Sequence, residues 1–358
     1  MSEQTRKLDI IRTWMTDHNL GGLYLQSAGS FAWATCGSAS YINTATTNGL
    51  ASLLITKDHQ YLLTSNIEAP RLEQEEQLAE QGWDFQVSPW HASQNNLADL
   101  SRGLVLGSDG PLAGAQDVSA ELARLRAYLT PEEDKRFQEL GKFCAIAMQA
   151  AIQTVKPGQT EYQIAANLAV EAEAQGVQAI VNLIASDERI FSYRHPLPTA
   201  KKLEKYAMLI LCGRKNGLIC SITRLVHFGP LPDDLRRKME ACARVDATFI
   251  NATRPGMSLG DIFGKIIQAY SSVGYPEEWQ KHHQGGACGY EPREYLAVPG
   301  SPESVAVGQV YAWNPSITGC KSEDTMLVGE NQNQVLTVIP GWPELVVDGI
   351  SRPTILVL

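Results

Sequence analysis

A short segment occurs twice in the second part of the chain, and this repeat constrains the fold more than any other feature. It reads VKPGQTEYQIA at residues 155–165 and TRPGMSLGDIF at residues 253–263. Each copy follows a long helical pattern and contains a basic residue, Pro, Gly, a hydroxyl residue and then Ile. The pattern predicts a helix end, a sharp turn and a newly capped helix. Either a helix-turn-helix-strand unit is duplicated, or a common turn occurs twice by coincidence.

The rest of the chain suggests two domains. Up to about residue 128, a helical pattern at 3–18, a hairpin pattern at 51–66 and a helix ending near Gly82 alternate with strand patterns. This alternation favours a mixed sheet with helices. A long helix then begins, with Thr130 as its N-cap, Pro131 at the first position and Glu133 three residues after the cap. We therefore predict domains at 1–128 and 129–358, which the length of 358 residues also favours.

Strand patterns follow each copy of the repeat. Residues 206–229 read as two strands around the turn GRKNG, and GQVYAWNPSI and CKSEDTMLVG read as another pair. Together with the helices they predict the α/β (α+β) class, with a mixed-sheet N-terminal domain and a C-terminal domain built from an internal duplication.

Composition excludes several classes of function. The formal net charge of −9 argues against a nucleic-acid partner, which would require a basic surface. No apolar run approaches the roughly 18 residues of a membrane span, and the N-terminus lacks the apolar core of a secretory signal. The 7 cysteines are scattered without a CxxC pair, so a disulfide framework or zinc ribbon is not expected. We therefore expect a cytoplasmic protein with neither nucleic-acid nor membrane partners.

Four ordered segments resemble a known family. GLICSITRLVHFGP is similar to its GYxSDITRTVxxGP, GQVYAWNP to its GMVFTIEP, and GCKSEDTMLV to its GxRIEDTVLV, while SFAWATCGSASYI resembles part of its N-terminal domain. The family comprises creatinase, prolidase and aminopeptidase P, and its C-terminal domain has the pita-bread fold. The resemblance covers nearly the whole chain and implies a homodimer that acts on C–N bonds.

The peptidases of this family bind two divalent metals, and the resemblance places their ligands on residues that mostly differ here. The two Asp, one His and two Glu of the family fall on Leu211 or Ile210, Ser221, Gly286, Asn314 and Glu323. At most one negative charge remains, whereas hard or borderline dications require several anionic or imidazole ligands. We predict that no dinuclear centre and no cofactor is used, for which creatinase is the family precedent.

Three residues are candidates for catalysis. His195 matches a family His near the scissile bond, which implies proton transfer, although it could instead bond a backbone carbonyl before Pro196. Glu323 and Glu294 would orient water or a cationic nitrogen. Cys288, paired with His195 or His283, is a further possible nucleophile. The alternative is that Cys288 only packs in the interior, as buried Cys residues usually do.

Other residues are candidates for binding substrate. Arg293 stands where the peptidases carry a second active-site His, and a guanidinium binds carboxylates in a two-pronged fork. The alternative is an ordinary ion pair with a neighbour such as Glu294. The remaining candidates, which would make the former metal pocket neutral to positive, are His283, Asn314, Lys321 and Arg224.

The leading hypothesis is therefore a metal-independent, creatinase-like hydrolase or lyase. It would act on a C–N bond of a small polar substrate that bears a carboxylate, with His195 as the proton shuttle. Two alternatives remain: a peptidase with an atypical metal site built from His282, His283 and Glu323, and a non-catalytic pita-bread module that binds a partner.

Overall fold

The computed structural model describes residues 1–92 and 96–358. The chain divides into two compact units, Met1–Arg126 with Asn216–Leu218, and Ala127–Lys215 with Ile219–Leu358. All eight candidate residues for catalysis and substrate binding lie in the second unit.

The first unit contains one six-stranded sheet with the order β4-β3-β2-β1-β5-β6. Its helices are α1 (Glu3–Asp17), α2 (Ala28–Ala34), α3 (Ala69–Gln74), α4 (Leu97–Leu100) and α5 (Ser119–Arg126). Its strands are β1 (Gly22–Ser27), β2 (Asn48–Thr56), β3 (Gln60–Ser65), β4 (Asp84–Ser88), β5 (Leu106–Ser108) and β6 (Gln116–Asp117).

The hairpin expected at 51–66 is confirmed, because β2 and β3 pair antiparallel. The helix expected to end near Gly82 was predicted too long. It ends at Gln74, and Gln77 has a positive φ of 55°, a left-handed conformation that a helix cannot continue through.

The second unit contains two larger sheets, with the orders β19-β9-β8-β7 and β11-β10-β12-β15-β16. Its helices are α6 (Pro131–Thr154), α7 (Glu161–Glu173), α8 (Glu188–Ser192), α9 (Asp233–Ala252), α10 (Leu259–Ser272) and a 3-10 turn (Glu278–Lys281). Its longer strands are β7 (Gln178–Ser186), β8 (Tyr206–Lys215), β9 (Leu218–His227), β10 (Gly285–Cys288), β12 (Val310–Trp313), β15 (Asp324–Leu327), β17 (Glu344–Val347) and β18 (Ile350–Pro353). The shorter strands are β11 (Tyr295–Leu296), β13 (Ser316–Ile317), β14 (Cys320–Lys321), β16 (Gln334–Val335) and β19 (Leu356–Val357).

The two copies of the repeat form the same local structure. Thr160 caps α7 by accepting from the Gln163 amide, and Ser258 caps α10 by accepting from the Asp261 amide. The glycines of the two turns, Gly158 and Gly256, have φ values of 90° and 86°. Glycine is required there because residues with a Cβ rarely adopt this conformation.

The strand pair predicted at 206–229 is also confirmed. β8 and β9 are joined by Asn216 and Gly217, whose φ values of 49° and 75° suit a tight hairpin turn. Both strands are buried on each face apart from Lys215, and β8 accordingly begins with an apolar run at residues 206–212. Within the described ranges, no helix is long and apolar enough to cross a bilayer.

Candidate active site

A cavity of about 330 Å³ in the second unit gathers most of the candidate residues. It is lined by Val181, Leu183, His195, Ile210, Cys212, His283, Pro292, Arg293, Asn314, Lys321 and Glu323. These side chains come from β7, β8, β14, the segment that follows α8, and the segments that precede or follow β10, β12 and β14. The volume suits a small molecule rather than a long peptide.

One wall of the cavity is mostly apolar, and strand register builds it. Val181 pairs with Cys212 and Leu183 pairs with Ile210 across β7 and β8. Because side chains alternate along a strand, Leu211 lies on the opposite face and is not among the lining residues. The thiol of Cys212 lies 3.2 Å from the hydroxyl of Ser221. The resemblance gives two positions for the family's first Asp, Leu211 and Ile210. Leu211 is excluded, because Ile210 and Cys212 face the cavity and Leu211 does not.

The opposite side of the cavity is a charged cluster centred on Glu323. Its Oε2 accepts from the Thr223 hydroxyl at 2.6 Å and lies 2.7 Å from the Lys321 Nζ. Its Oε1 lies 3.2 Å from the Arg293 Nη2. Burial alone would raise the pKa of Glu323, but the charges of Lys321 and Arg293 outweigh it and lower the pKa to about 2. Glu323 is therefore a carboxylate at any physiological pH.

The cluster has one more positive than negative charge. Lys321 and Glu323 are 5% and 2% exposed, so this pair lies in a medium of low polarity. Arg293 also donates to the Ser221 hydroxyl at 3.3 Å and to its neighbouring carbonyl of Pro292. The excess charge makes the cavity attractive to an anion.

Three imidazoles stand at the edge of the cavity. The Nε2 atoms of His195 and His282 are 3.0 Å apart, and the rings of His282 and His283 stack with centroids 4.3 Å apart. Partial burial and then the charge of Lys321 lower the pKa of His195. The pKa values of His282 and His283 fall to about 2 and about 4, mainly through burial. All three rings are neutral at pH 7, so His195 is able to accept a proton.

Three polar atoms of residues that line the cavity have no hydrogen-bond partner among the described residues. They are the Oδ1 of Asn314, the Nε of Arg293 and the Nδ1 of His283, all buried. Buried polar atoms are almost always satisfied, if necessary by a water molecule or a ligand. Asn314 is only 2% exposed and lines the cavity, so its free acceptor is available to a bound molecule.

The structure does not bring every candidate to the cavity. Glu294 accepts from the Tyr290 amide at 2.8 Å, which draws its carboxylate into its own loop. Arg224 donates to Asp324 and to the Thr337 carbonyl, both at 2.9 Å. Neither residue is among those that line the cavity, so neither is retained as a contact to substrate.

Cys288 does not suit the role of nucleophile. It is fully buried in β10 and is absent from the cavity lining. Burial also raises the pKa of its thiol far above neutrality. The thiolate that nucleophilic attack requires would not form at physiological pH.

The donor set does not fit the dinuclear centre that the resemblance implies. Both oxygens of Glu323 already contact side-chain cations. A Cβ at Gly286 would lie 2.1 Å from the Tyr295 carbonyl oxygen, so β10 has no room for the family's His. Ser221 and Asn314 offer a metal ion only uncharged oxygen atoms as ligands. Two dications would here meet one carboxylate and two fixed positive charges, an arrangement that repels them.

Sequence reasoning missed several contributors to the site. The apolar residues Val181 and Leu183 are visible only once β7 and β8 are paired in register. Thr223, part of the quoted ITR segment, holds Glu323 through an isolated bridge between the two backbones. The sequence indicates His282 only as a metal ligand, yet it is the hydrogen-bond partner of His195. The HHQGG run was the signal that could have suggested this pairing.

Known proteins resemble the chain in sequence. An uncharacterized peptidase from Staphylococcus saprophyticus is 23% identical over 218 residues, which are 58% of this chain and 62% of that protein. The chain thus matches less than two thirds of that relative's length. An agropine synthesis cyclase from Rhizobium rhizogenes is 29% identical over 140 residues, 37% of this chain and 35% of that protein.

Solved structures resemble the fold over nearly its full length. An Xaa-Pro dipeptidase from Bacillus anthracis superimposes with a TM-score of 0.80 at 18% identity, covering 99% of this chain and 100% of that one. This confirms the α/β fold class and the pita-bread architecture. The model of metallopeptidase family M24 matches residues 135–330, more than half of the sequence. The chain therefore belongs to metallopeptidase family M24.

Proposed function

We propose that this protein hydrolyses a C–N bond in a small substrate that bears a carboxylate, without the metal pair of its family. The observation that carries the proposal is the Lys321–Glu323–Arg293 cluster, in which two cations contact the one carboxylate that remains at the family's ligand positions. Membership of a peptidase family supports hydrolysis of C–N bonds as the general chemistry.

In the proposed reaction, His195 acts as the base. It removes a proton from water as the water oxygen bonds to the substrate carbon, and it returns that proton to the nitrogen as the C–N bond breaks. The ammonium of Lys321 stabilises the negative charge that develops on the substrate oxygen. Arg293, which is paired with Glu323, binds the substrate carboxylate. The excess positive charge of the cavity also attracts this carboxylate.

A dipeptide substrate is the principal alternative within this chemistry. The solved relative from Bacillus anthracis is named an Xaa-Pro dipeptidase, and a dipeptide also presents a carboxylate next to a C–N bond. The cyclase relative from Rhizobium rhizogenes supports a second candidate, in which a group of the substrate itself replaces water as the attacking group and closes a ring. His195 would serve as base in either reaction.

Chelator-treated protein assayed with Ala-Pro, creatine and N-acetylproline tests the proposal. We expect turnover of at least one compound, and we expect His195→Ala to lower kcat by about 10²-fold or more with little change in Tm. The control variant is His91→Ala, which changes an exposed residue of the first unit. Turnover that requires added Mn²⁺ or Co²⁺ would refute metal independence. Binding of N-acetylproline without turnover of any compound would instead indicate a non-catalytic binding module.

A further inference from the structure

The three imidazoles of His195, His282 and His283 form a cluster that the family's dinuclear centre does not use. Three ring nitrogens, one from each residue, lie within 4.8 Å of one another. The Nε2 atoms of His195 and His282 are already 3.0 Å apart, close to the spacing of two ligands on one tetrahedral ion. We propose that these residues bind a single borderline transition-metal ion such as Zn²⁺, and that its binding inhibits the enzyme.

The backbone around the cluster is held in place, so the ligands are arranged in advance. Glu278, just before His282, accepts from the Arg194 guanidinium at 2.7 Å, and Arg194 precedes His195 directly. The Gln284 amide donates to the His282 carbonyl at 2.7 Å on the other side. The first bond ties together the two segments that carry the imidazoles, and the second holds the backbone at His282, as the residues surrounding a metal site usually do.

The cluster is also reachable from solvent. His195 is exposed, while His282 and His283 are partly buried. An ion can therefore enter past His195 and complete its coordination with water. Three His ligands with one open position are a common arrangement for zinc. Imidazole suits Zn²⁺, Cu²⁺ and Ni²⁺, whereas Mg²⁺ and Ca²⁺ prefer oxygen ligands, so we expect selectivity for the first group.

Two features limit the affinity. The Nδ1 atoms of His282 and His283 are buried without a partner among the described residues, so no acceptor strengthens these rings as ligands. The excess positive charge of the Lys321–Glu323–Arg293 cluster repels a dication. We therefore expect micromolar rather than nanomolar binding.

Inhibition follows from the identity of one ligand. A nitrogen of His195 that binds a metal ion has no lone pair left for a proton. Metal binding would thus abolish the proposed proton transfer by His195, so the inhibition rests on the proposed function. Metal addition would lower the activity of this enzyme, the reverse of what a metal-dependent peptidase would show.

Calorimetric titration of chelator-treated protein with ZnCl₂ tests the site without reference to activity. We expect one equivalent bound, no heat with MgCl₂, and at least about tenfold weaker binding in His282→Ala. His283→Gln is a second variant in case the first does not fold, and exposed His91→Ala is the matched control. Lys321→Met should bind Zn²⁺ about tenfold more tightly, because a repelling charge is removed.

Several results would overturn the proposal. Absence of zinc binding up to about 1 mM would do so. Unchanged binding in both His282→Ala and His283→Gln would place the ion elsewhere, for instance on cysteines. If zinc binds as expected but increases turnover, the site stands as a metal site, and the metal-independent reaction is contradicted instead.

Discussion

The Nζ of Lys321 lies 2.7 Å from the Oε2 of Glu323, and both side chains are almost completely buried. Arg293 contacts the other carboxylate oxygen at 3.2 Å. A single carboxylate thus compensates two cations in the cavity. This arrangement accounts for the positive character of the site and for its mismatch with a pair of dications.

Substituting Glu323→Gln should be strongly destabilising. It removes the only carboxylate of the cluster and leaves Lys321 buried without its anion, which costs about 3 kcal/mol in the free energy of unfolding. Urea unfolding measures this loss. Glu330→Gln, at an exposed position, should change the free energy by less than about 0.5 kcal/mol. A loss below about 1 kcal/mol for Glu323→Gln would show that the cluster is solvated rather than buried.

A second buried ion network supports the strand that follows Glu323. Arg352 donates through Nε to Asp246 at 2.8 Å and through Nη2 to Asp324 at 2.6 Å. Arg352→Met should lower the free energy of unfolding by about 3–5 kcal/mol, because the buried carboxylate of Asp246 loses its cationic partner and Asp324 keeps only Arg224. The exposed Arg237, paired with Asp234, is the control, and Arg237→Met should cost less than about 1 kcal/mol. Equal effects of the two substitutions would contradict this account.

Asp134, in the first turn of α6, gives a pH-dependent prediction. Partial burial, and then the charge of Glu133, raise its pKa from 3.8 to about 6. Because the folded-state pKa exceeds the unfolded one, the native state binds more protons between these values, and stability falls as pH rises through them. Asp134→Asn should therefore stabilise the protein at pH 7.5 by about 1 kcal/mol, allowing for solvent screening.

The pH profile distinguishes this effect from an ordinary change in packing. The gain from Asp134→Asn should shrink steadily as urea unfolding is repeated from pH 7.5 down to pH 5. The exposed residue Asp9 in α1 supplies the matched control variant Asp9→Asn. A gain independent of pH would show that the charge of Asp134 is not its source.

Gly286 should tolerate no side chain. A Cβ there would lie 2.1 Å from the Tyr295 carbonyl oxygen and 3.0 Å from the Leu296 Cα, both backbone atoms of the neighbouring β11. Gly286→Ala should destabilise by about 3 kcal/mol, since β10 and β11 must separate. Apart from the chain neighbours and the backbone of its own helix, nothing in the described part of the chain lies within 4 Å of a Cβ added at Gly264 in α10, so Gly264→Ala should instead stabilise by about 0.5–1 kcal/mol. A neutral Gly286→Ala would mean that the strand is able to accept the His of the family.

Much of the fold was predictable because local chemistry decides it. The Thr130 cap with Glu133, the two hydroxyl caps after the repeated turns, and the Asn216–Gly217 hairpin are each set by a few neighbouring residues. The end of α3 was not, since nothing in the sequence marks Gln77 as left-handed.

The candidate site was predictable only in part. The residues that match family motifs, His195, Arg293, Asn314, Lys321 and Glu323, do converge on one cavity. Glu294 and Arg224 match equally well, but their side chains bond to partners outside it. Side-chain direction depends on strand register and on distant partners, such as Asp324 for Arg224, and a motif specifies neither. For the same reason the apolar wall of β7 and β8 could not be foreseen.

The metal content of the protein decides between a metal-independent site and a dinuclear centre. Protein purified without chelators from cells grown with added manganese, cobalt and zinc should be analysed for bound metal after extensive dialysis. We expect no tightly held pair of ions, and we expect any single zinc to be removed by a weak chelator and to be absent in His282→Ala. Two equivalents of metal that survive dialysis and remain in His282→Ala would contradict this expectation.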